Sequence, residues 1–108
     1  MSFQNQFTKT TTDANLMETV HHGSAEYPFR YYYENIALFD FKCIDWHWHS
    51  ELEFIYIESG NVVFDIGTVH FELNEGNGIM INSKILHRLQ SSSDAIIPNF
   101  LFQPSFIA

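Results

Sequence analysis

The sequence has few basic residues. Five Lys and Arg stand against thirteen Asp and Glu, which gives a formal charge of -8 at pH 7. Nucleic-acid binding depends on cations that displace the counterions of the phosphate backbone, and a surface this acidic repels that backbone. The composition therefore argues against a chain that binds DNA or RNA by itself, and we expect any contact with DNA to be made by a separate domain.

Cysteine and long apolar runs are also scarce. Cys43 is the only cysteine, so no disulfide can form within the chain. We expect it to be an inert core residue. No apolar run is long enough to span a bilayer, and the polar start of the chain, which includes Gln4, Asn5 and Gln6, is not typical of a secretory signal. These absences predict a cytoplasmic protein that does not enter a membrane.

Apolar and aromatic residues, in contrast, are abundant. A chain of 108 residues forms one domain, and its 45% hydrophobic content can supply the dense core that so small a domain needs. Short runs of strand-favouring residues alternate with turn residues after Pro28, which predicts an all-β antiparallel sandwich or barrel. The predicted strands cover residues 30–33, 37–41, 51–58, 62–66, 69–73, 79–82 and 97–102.

The first part of the chain has a different character. Residues 1–25 are mostly polar, and the run from Thr8 to Thr12 predicts a loose amino-terminal arm. A helical turn is expected within it, near residues 15–20. We therefore divide the chain into an arm, residues 1–25, and a β-barrel, residues 26–108.

Two histidines one residue apart carry the most information. In a strand, residues of equal parity share a face, so His47, His49 and Glu53 can project into one interior while Trp48 faces away. Two imidazoles and a carboxylate are typical of a metal site, or of a polar site descended from one. Glu51 shares this parity, but it lies where a strand would enter the barrel, and we expect it at the solvated rim.

The spacing of these residues resembles the first motif of the cupin superfamily. That motif consists of two histidines one residue apart, a glutamate and, after six further residues, a glycine, which is Gly60 here. The second motif begins with a glycine and places a histidine eleven residues later, and Gly76 and His87 keep this spacing. The resemblance implies an antiparallel double-stranded β-helix, the cupin jelly-roll barrel, with His47, His49, Glu53 and His87 in its interior.

The chain also departs from the cupin pattern. Asn82 and Lys84 replace the proline and the glycine usually found in the second motif, and Phe41 replaces a glycine that often precedes the first. These departures weaken the likeness to the superfamily's enzymes. Residues 19–23, 46–49 and 53–56 are instead similar to the amino-terminal sensing domain of AraC-type transcription regulators.

The resemblance to AraC-type regulators implies a function in sensing. In that family, a small-molecule effector such as a sugar binds in the barrel, the protein forms a homodimer, and helix-turn-helix units further along the chain bind DNA. This sequence reaches Ala108 before any such unit. We therefore expect effector binding at His47, His49, Glu53 and His87, and DNA contact only through a downstream domain that is not in this chain.

Two alternatives stay open at the sequence level. The same four residues could hold a divalent Zn, Ni, Fe or Mn ion, or they could form a polar interior of hydrogen-bonded histidines that requires no cofactor. A stand-alone metal-dependent cupin enzyme, of the dioxygenase or isomerase type, would use them as metal ligands. Because no further acid-base residue can be placed inside the barrel, we assign no catalytic residue and expect a non-enzyme.

Overall fold

The computed structural model describes residues 11–18, 29–91 and 94–106. These residues contain eight strands and three short 3-10 turns, the turns covering Ile36–Leu38, Asp40–Lys42 and Pro104–Phe106. None of the helices in this part of the chain has the length and apolar character needed to cross a bilayer. The strands are β1 (Phe29–Asn35), β2 (Cys43–His47), β3 (Leu52–Tyr56), β4 (Asn61–Ile66), β5 (Val69–Asn74), β6 (Gly78–Ile81), β7 (His87–Gln90) and β8 (Ile96–Phe102).

The strands form two four-stranded antiparallel sheets. One has the order β1-β8-β3-β6 and the other the order β2-β7-β4-β5, so consecutive strands repeatedly cross from one sheet to the other. This arrangement confirms the all-β jelly-roll prediction. The crossing matters for the interior, because residues close in sequence come to face each other from opposite sheets.

The apolar core is formed by residues of both sheets. Strand alternation places Ile55 of β3 and Leu89 of β7 in this core, and both are almost completely buried. Two residues further along the same inner faces, Glu53 and His87 are buried as well. On β3 and on β7, the buried side chains therefore change from apolar to polar over two residues. The buried core consists of Ile36, Phe39, Ile44, Ile55, Ile57, Val62, Phe64, Ile81, Leu89, Ala95 and Ile97.

Two parts of the strand prediction are wrong. Residues 37–41 fall in the 3-10 turns, because the Asn35 side chain accepts a hydrogen bond from the Ala37 N–H and diverts the backbone from an extended path. Phe41 and Lys42 then have φ values of 58° and 51°, which a strand cannot contain. The predicted ranges also omit strands β2 and β7. Strand β7 has only four residues, most of them polar, so it shows no clear alternation of apolar and polar residues.

Gly60 closes the turn before β4, and its lack of a side chain is required there. Its φ is 85°, and a Cβ atom would lie 2.7 Å from the backbone oxygen of Asp94. We expect Gly60→Ala to lower the free energy of unfolding by about 3 kcal/mol, through backbone strain and this collision. Gly67→Ala is the matched control, since Gly67 has a φ of 57° but nothing within 4 Å of the added atom. It should cost only about 1 kcal/mol in urea denaturation; equal losses would contradict the steric explanation.

Candidate metal and effector site

The structure brings together the four residues that the sequence singled out. His47 ends β2, Glu53 lies in β3, His87 begins β7, and His49 lies in the connection between β2 and β3. One nitrogen or oxygen atom from each of the four lies within 4.8 Å of the others, and all four residues are buried. We call this group the histidine cluster.

The geometric reason for this convergence differs from the predicted one. A single strand carrying His47, His49 and Glu53 was expected, but β2 ends at His47 and β3 begins at Leu52 in the opposite sheet. The pairing of β2 with β7 also shifts register between Ile44 and His47, as in a β-bulge. The cluster is therefore formed where the chain passes from one sheet to the other.

The three imidazoles are oriented by the same device. The Nδ1 atom of each ring lies at hydrogen-bond distance from a backbone carbonyl two residues away, at 2.7 Å for His47, 3.0 Å for His49 and 2.7 Å for His87. A carbonyl only accepts, so each Nδ1 carries the proton and donates it. Such a bond sets the tautomer and directs Nε2 towards a ligand, as it does in histidines that bind metals. The carbonyl partners are those of Asp45, Glu51 and Ile85.

Glu53 lies at the centre of the cluster. Its Oε1 atom is 3.1 Å from Nε2 of His49 and 3.2 Å from Nε2 of His87. Burial by itself would raise the pKa of Glu53, but the hydrogen bonds from these two imidazoles hold that pKa well below its usual range. Burial would likewise lower the pKa of His49, yet the hydrogen bond and the charge of Glu53 raise it to about 9. His49 and Glu53 thus form a buried ion pair.

His47 has the opposite electrostatic character. Burial, helped by the neighbouring His87 imidazole, lowers its pKa to about 4. The two ring centroids are 4.1 Å apart. His47 is therefore neutral at pH 7, which is the protonation state in which an imidazole coordinates a metal.

The donor set fits a divalent first-row metal. Three imidazole nitrogens and one carboxylate oxygen suit Zn, Ni, Fe or Mn, and the Nδ1 bonds hold the rings in the orientation that coordination needs. Beside Glu53, His49 carries a proton on Nε2 as well as on Nδ1. A bound metal ion would take the place of the proton on Nε2. His47, His49, Glu53 and His87 could hold such an ion.

Glu51 corrects one prediction. It was expected at the solvated rim but is only 6% exposed, and its Oε1 lies 3.9 Å from Nδ1 of His49. Its shared parity with His49 and Glu53 was the signal that could have placed it inside. Glu34 and Asn99 are also buried polar residues that the sequence did not identify as part of the interior, and Tyr32 is buried as well.

Part of the predicted arm pairs with the chain between the two histidines. The Trp48 N–H donates to the Leu16 carbonyl at 2.9 Å, and the Glu18 N–H donates to the Trp48 carbonyl at 2.8 Å. The indole Nε1 of Trp48 donates to the Asn15 carbonyl at 2.9 Å. Trp48 therefore faces away from the histidine cluster and contacts the arm, as its parity predicted.

The described part of the arm is a turn and contains no helix. The Asp13 carboxylate accepts hydrogen bonds from the N–H groups of Asn15, at 2.8 Å, and Met17, at 3.0 Å. Local bonds of this kind compete with helix formation, which explains why the expected helical turn is absent from residues 15–18; residues 19 and 20 lie outside the described residues. Glu18, at the end of this segment, is close enough for its charge to act on His47 and His49.

Loss of the Trp48 side chain is expected to release this segment. Trp48→Ala removes the indole hydrogen bond to the Asn15 carbonyl, so amide hydrogen exchange in residues 16–18 should become roughly tenfold faster. Trp46→Ala is the control, because the Trp46 ring instead stacks under the Arg88 guanidinium, 4.9 Å from the ring centroid. Equal acceleration in both variants would show that Trp48 does not hold the arm.

The family of the chain follows from comparison with known proteins. Residues 39–107 match the family described as the AraC-like ligand binding domain. This chain belongs to that family. The matched range includes the whole histidine cluster and every strand except β1.

The AraC-like ligand-binding domain is similar to part of a longer protein. It is 37% identical over 75 residues to the uncharacterized HTH-type transcriptional regulator YdeC of Bacillus subtilis (strain 168). The alignment covers 69% of this chain and 26% of YdeC. The chain thus spans about a quarter of the length of this relative.

Solved structures show the same fold. A cupin-2 domain protein from Shewanella frigidimarina superposes with a TM-score of 0.60 at 13% identity, covering 70% of this chain and 72% of that one. Oxalate decarboxylase from Bacillus subtilis, described with Mn(II) centers, superposes with a TM-score of 0.54 at 23% identity, covering 59% of this chain and 19% of that one. The cupin fold of the AraC-like domain is therefore shared with an enzyme as well as with a regulator family.

Proposed function

We propose that this AraC-like ligand-binding domain binds a small metabolite beside the histidine cluster and controls a DNA-binding domain elsewhere in a longer regulator. The main observation in support of metabolite binding is a buried group of polar side chains inside a domain of this family. Small-molecule sites in proteins are typically interior spaces with a few polar side chains that fix the orientation of the ligand, and the histidine cluster is a group of this kind. The relative YdeC is named as an HTH-type transcriptional regulator, which supports the regulatory role.

The cluster is proposed to hold a divalent metal. Its three oriented imidazoles and the Glu53 carboxylate match the ligand preferences of Zn, Ni, Fe and Mn. Oxalate decarboxylase, which has a similar fold, is described with Mn(II) centers. A bound ion would supply positive charge in the interior and a coordination position for an oxygen atom of the effector.

The arm is the proposed route by which occupancy is reported. Residues 16–18 pair with Trp48, whose neighbours His47 and His49 belong to the cluster. If a ligand shifts His47 or His49, the backbone hydrogen bonds between Trp48 and residues 16–18 must change or must oppose the shift. Ligand binding and the position of the arm are therefore coupled. We further propose that residues 1–25 act as this arm on a barrel formed by residues 26–108, that the regulator is a cytoplasmic homodimer, and that the domain itself is not an enzyme.

A metal-dependent enzyme is the second candidate. The complete ligand set and the likeness in fold to oxalate decarboxylase favour it. The two functions differ in what happens to the small molecule, because a sensor releases it unchanged.

One experiment tests the proposal and separates the candidates. The chain is screened by thermal shift against sugars, amino acids and small carboxylates, with and without each of the four metals, and every hit is followed by NMR of the small molecule. We expect saturable binding with no chemical change, and loss of binding in His87→Gln. Consumption of a hit would establish the enzyme, and the absence of any hit would contradict effector binding in this domain.

A further inference from the structure

A second buried polar group lies beside the histidine cluster. It consists of Tyr32 and Glu34 on β1 and Asn99 on β8, which are 4%, 8% and 3% exposed. Tyr32 pairs with Asn99 across the strands, and Asn99 pairs with Ile55, which is two residues from Glu53 on β3. The three side chains therefore share the inner face of the sheet that carries Glu53.

Glu34 is poorly compensated in this group. In the described part of the chain, its hydrogen-bond partner is the Asn99 amide, whose Nδ2 lies 3.5 Å from Glu34 Oε2, at the outer limit for such a bond. The same Nδ2 makes a shorter bond of 2.9 Å to the Ile97 carbonyl. No Lys or Arg among the described residues forms an ion pair with Glu34.

The electrostatic surroundings of Glu34 are acidic. Burial, reinforced by the charge of Glu53 and opposed by the Asn99 bond, raises the pKa of Glu34 to about 8. Glu18 adds a further negative charge nearby. A buried carboxyl in such surroundings destabilises the fold, whereas a glutamine of similar shape would not. A residue that opposes stability in this way is typical of a binding site.

We infer that Glu34, supported by Asn99 and Tyr32, binds the protonated amine of a small zwitterion whose carboxylate reaches the histidine cluster. This inference rests on the proposed function and specifies the class of its effector. The charges are complementary at both ends: a divalent ion held by the cluster would bind the carboxylate, and Glu34 offers a carboxylate to the amine.

An amine suits Glu34 better than a hydroxyl group does. A hydroxyl would leave the buried negative charge uncompensated, whereas an ammonium group neutralises it and donates up to three hydrogen bonds. Charge-assisted bonds are roughly twice as strong as neutral ones. Tyr32 and Asn99 lie at paired inner positions, where the Tyr32 hydroxyl oxygen and the Asn99 amide oxygen can accept the remaining bonds of the ammonium group.

The test uses two pairs of probes that differ only in the amine. γ-Aminobutyrate is compared with valerate and δ-aminovalerate with caproate, by isothermal titration calorimetry of the chain with and without Zn²⁺, at about pH 8.5, where both Glu34 and the amine are charged. We expect at least one amino acid to bind about tenfold or more tightly than its methyl counterpart. Glu34→Gln should abolish this preference, and Glu34→Asp should keep part of it.

A matched control and a folding check make each outcome decisive. Glu72→Gln makes the same change at an exposed position on β5, in the other sheet, and should leave the preference unchanged. The midpoint of thermal unfolding of Glu34→Gln shows whether the variant is folded. Equal affinity for amine and methyl probes, or an undiminished preference in Glu34→Gln, overturns the inference. So does the failure of all four probes, in which case metabolite sensing is still judged separately by the broader screen.

Discussion

Replacement of His49 by alanine is expected to abolish binding of a divalent metal to this domain. His49 supplies one of four candidate ligands and holds Glu53 through a 3.1 Å bond, so its loss removes one ligand and frees another. We expect metal affinity to fall by at least about 100-fold, because even outer partners of metal ligands contribute 10- to 100-fold. Zn²⁺ at about 100 times its dissociation constant should stabilise the wild type by about 2.7 kcal/mol, or roughly 10 to 20 °C in Tm, and the variant by no more than about 0.4 kcal/mol.

His70→Ala is the matched control for this experiment. His70 is exposed on β5, and its Nδ1 lies 2.5 Å from the Asp65 carboxylate. The His70→Ala substitution therefore removes an imidazole from the outer surface and should leave the metal-dependent rise in Tm unchanged. Metal content of chelator-treated and reloaded protein gives an independent readout. If Zn²⁺ raises the Tm of His49→Ala as much as that of the wild type, the histidine cluster is not the metal site.

Glu34→Gln is expected to make the protein more stable at neutral and mildly basic pH. The folded state holds the pKa of Glu34 at about 8, whereas the unfolded chain has the ordinary value of 4.5. Between these values the folded protein keeps a proton that the unfolded chain has released, so the free energy of unfolding falls as pH rises, by up to about 1.4 kcal/mol per pH unit. A glutamine side chain does not titrate, so the free energy of unfolding of Glu34→Gln does not fall with pH for this reason.

The difference in stability between the wild type and Glu34→Gln depends on pH. Wild type and Glu34→Gln should be nearly equal in stability below about pH 4.5, and the variant should be more stable by about 2 to 4 kcal/mol near pH 7.5. Denaturation in urea at several pH values measures this difference, and titration of the other groups cancels between the two proteins. Glu72→Gln, at an exposed position, should differ from wild type by less than about 0.5 kcal/mol throughout. A variant no more stable than wild type at neutral pH would show that Glu34 finds compensation in the fold.

The three consecutive tyrosines of β1 show why some of the interior could not be predicted. Tyr31, Tyr32 and Tyr33 are chemically equal in the sequence, so their side chains do not show which of them faces the interior. The pairing of β1 with β8 turns Tyr32 inward beside Asn99, while Tyr31 packs on Phe100 with ring centroids 4.8 Å apart. Tyr33 is on the outer side, where its hydroxyl donates to Glu58. Which tyrosine faces inward depends on a partner strand more than sixty residues away.

The sequence by itself determined the fold class and the members of the histidine cluster. Turn residues between short apolar runs allow few architectures other than an antiparallel jelly roll, and the spacing of His47, His49, Glu53 and His87 identified the candidate ligands. Both are local patterns, which a chain shows without its partners. Only the tertiary structure decided that the candidate ligands meet at a crossing between sheets and that backbone carbonyls direct each Nε2 inward. It also decided that Glu34 is buried with no Lys or Arg ion pair among the described residues. These features depend on contacts between residues distant in the chain, and local sequence carries no record of them.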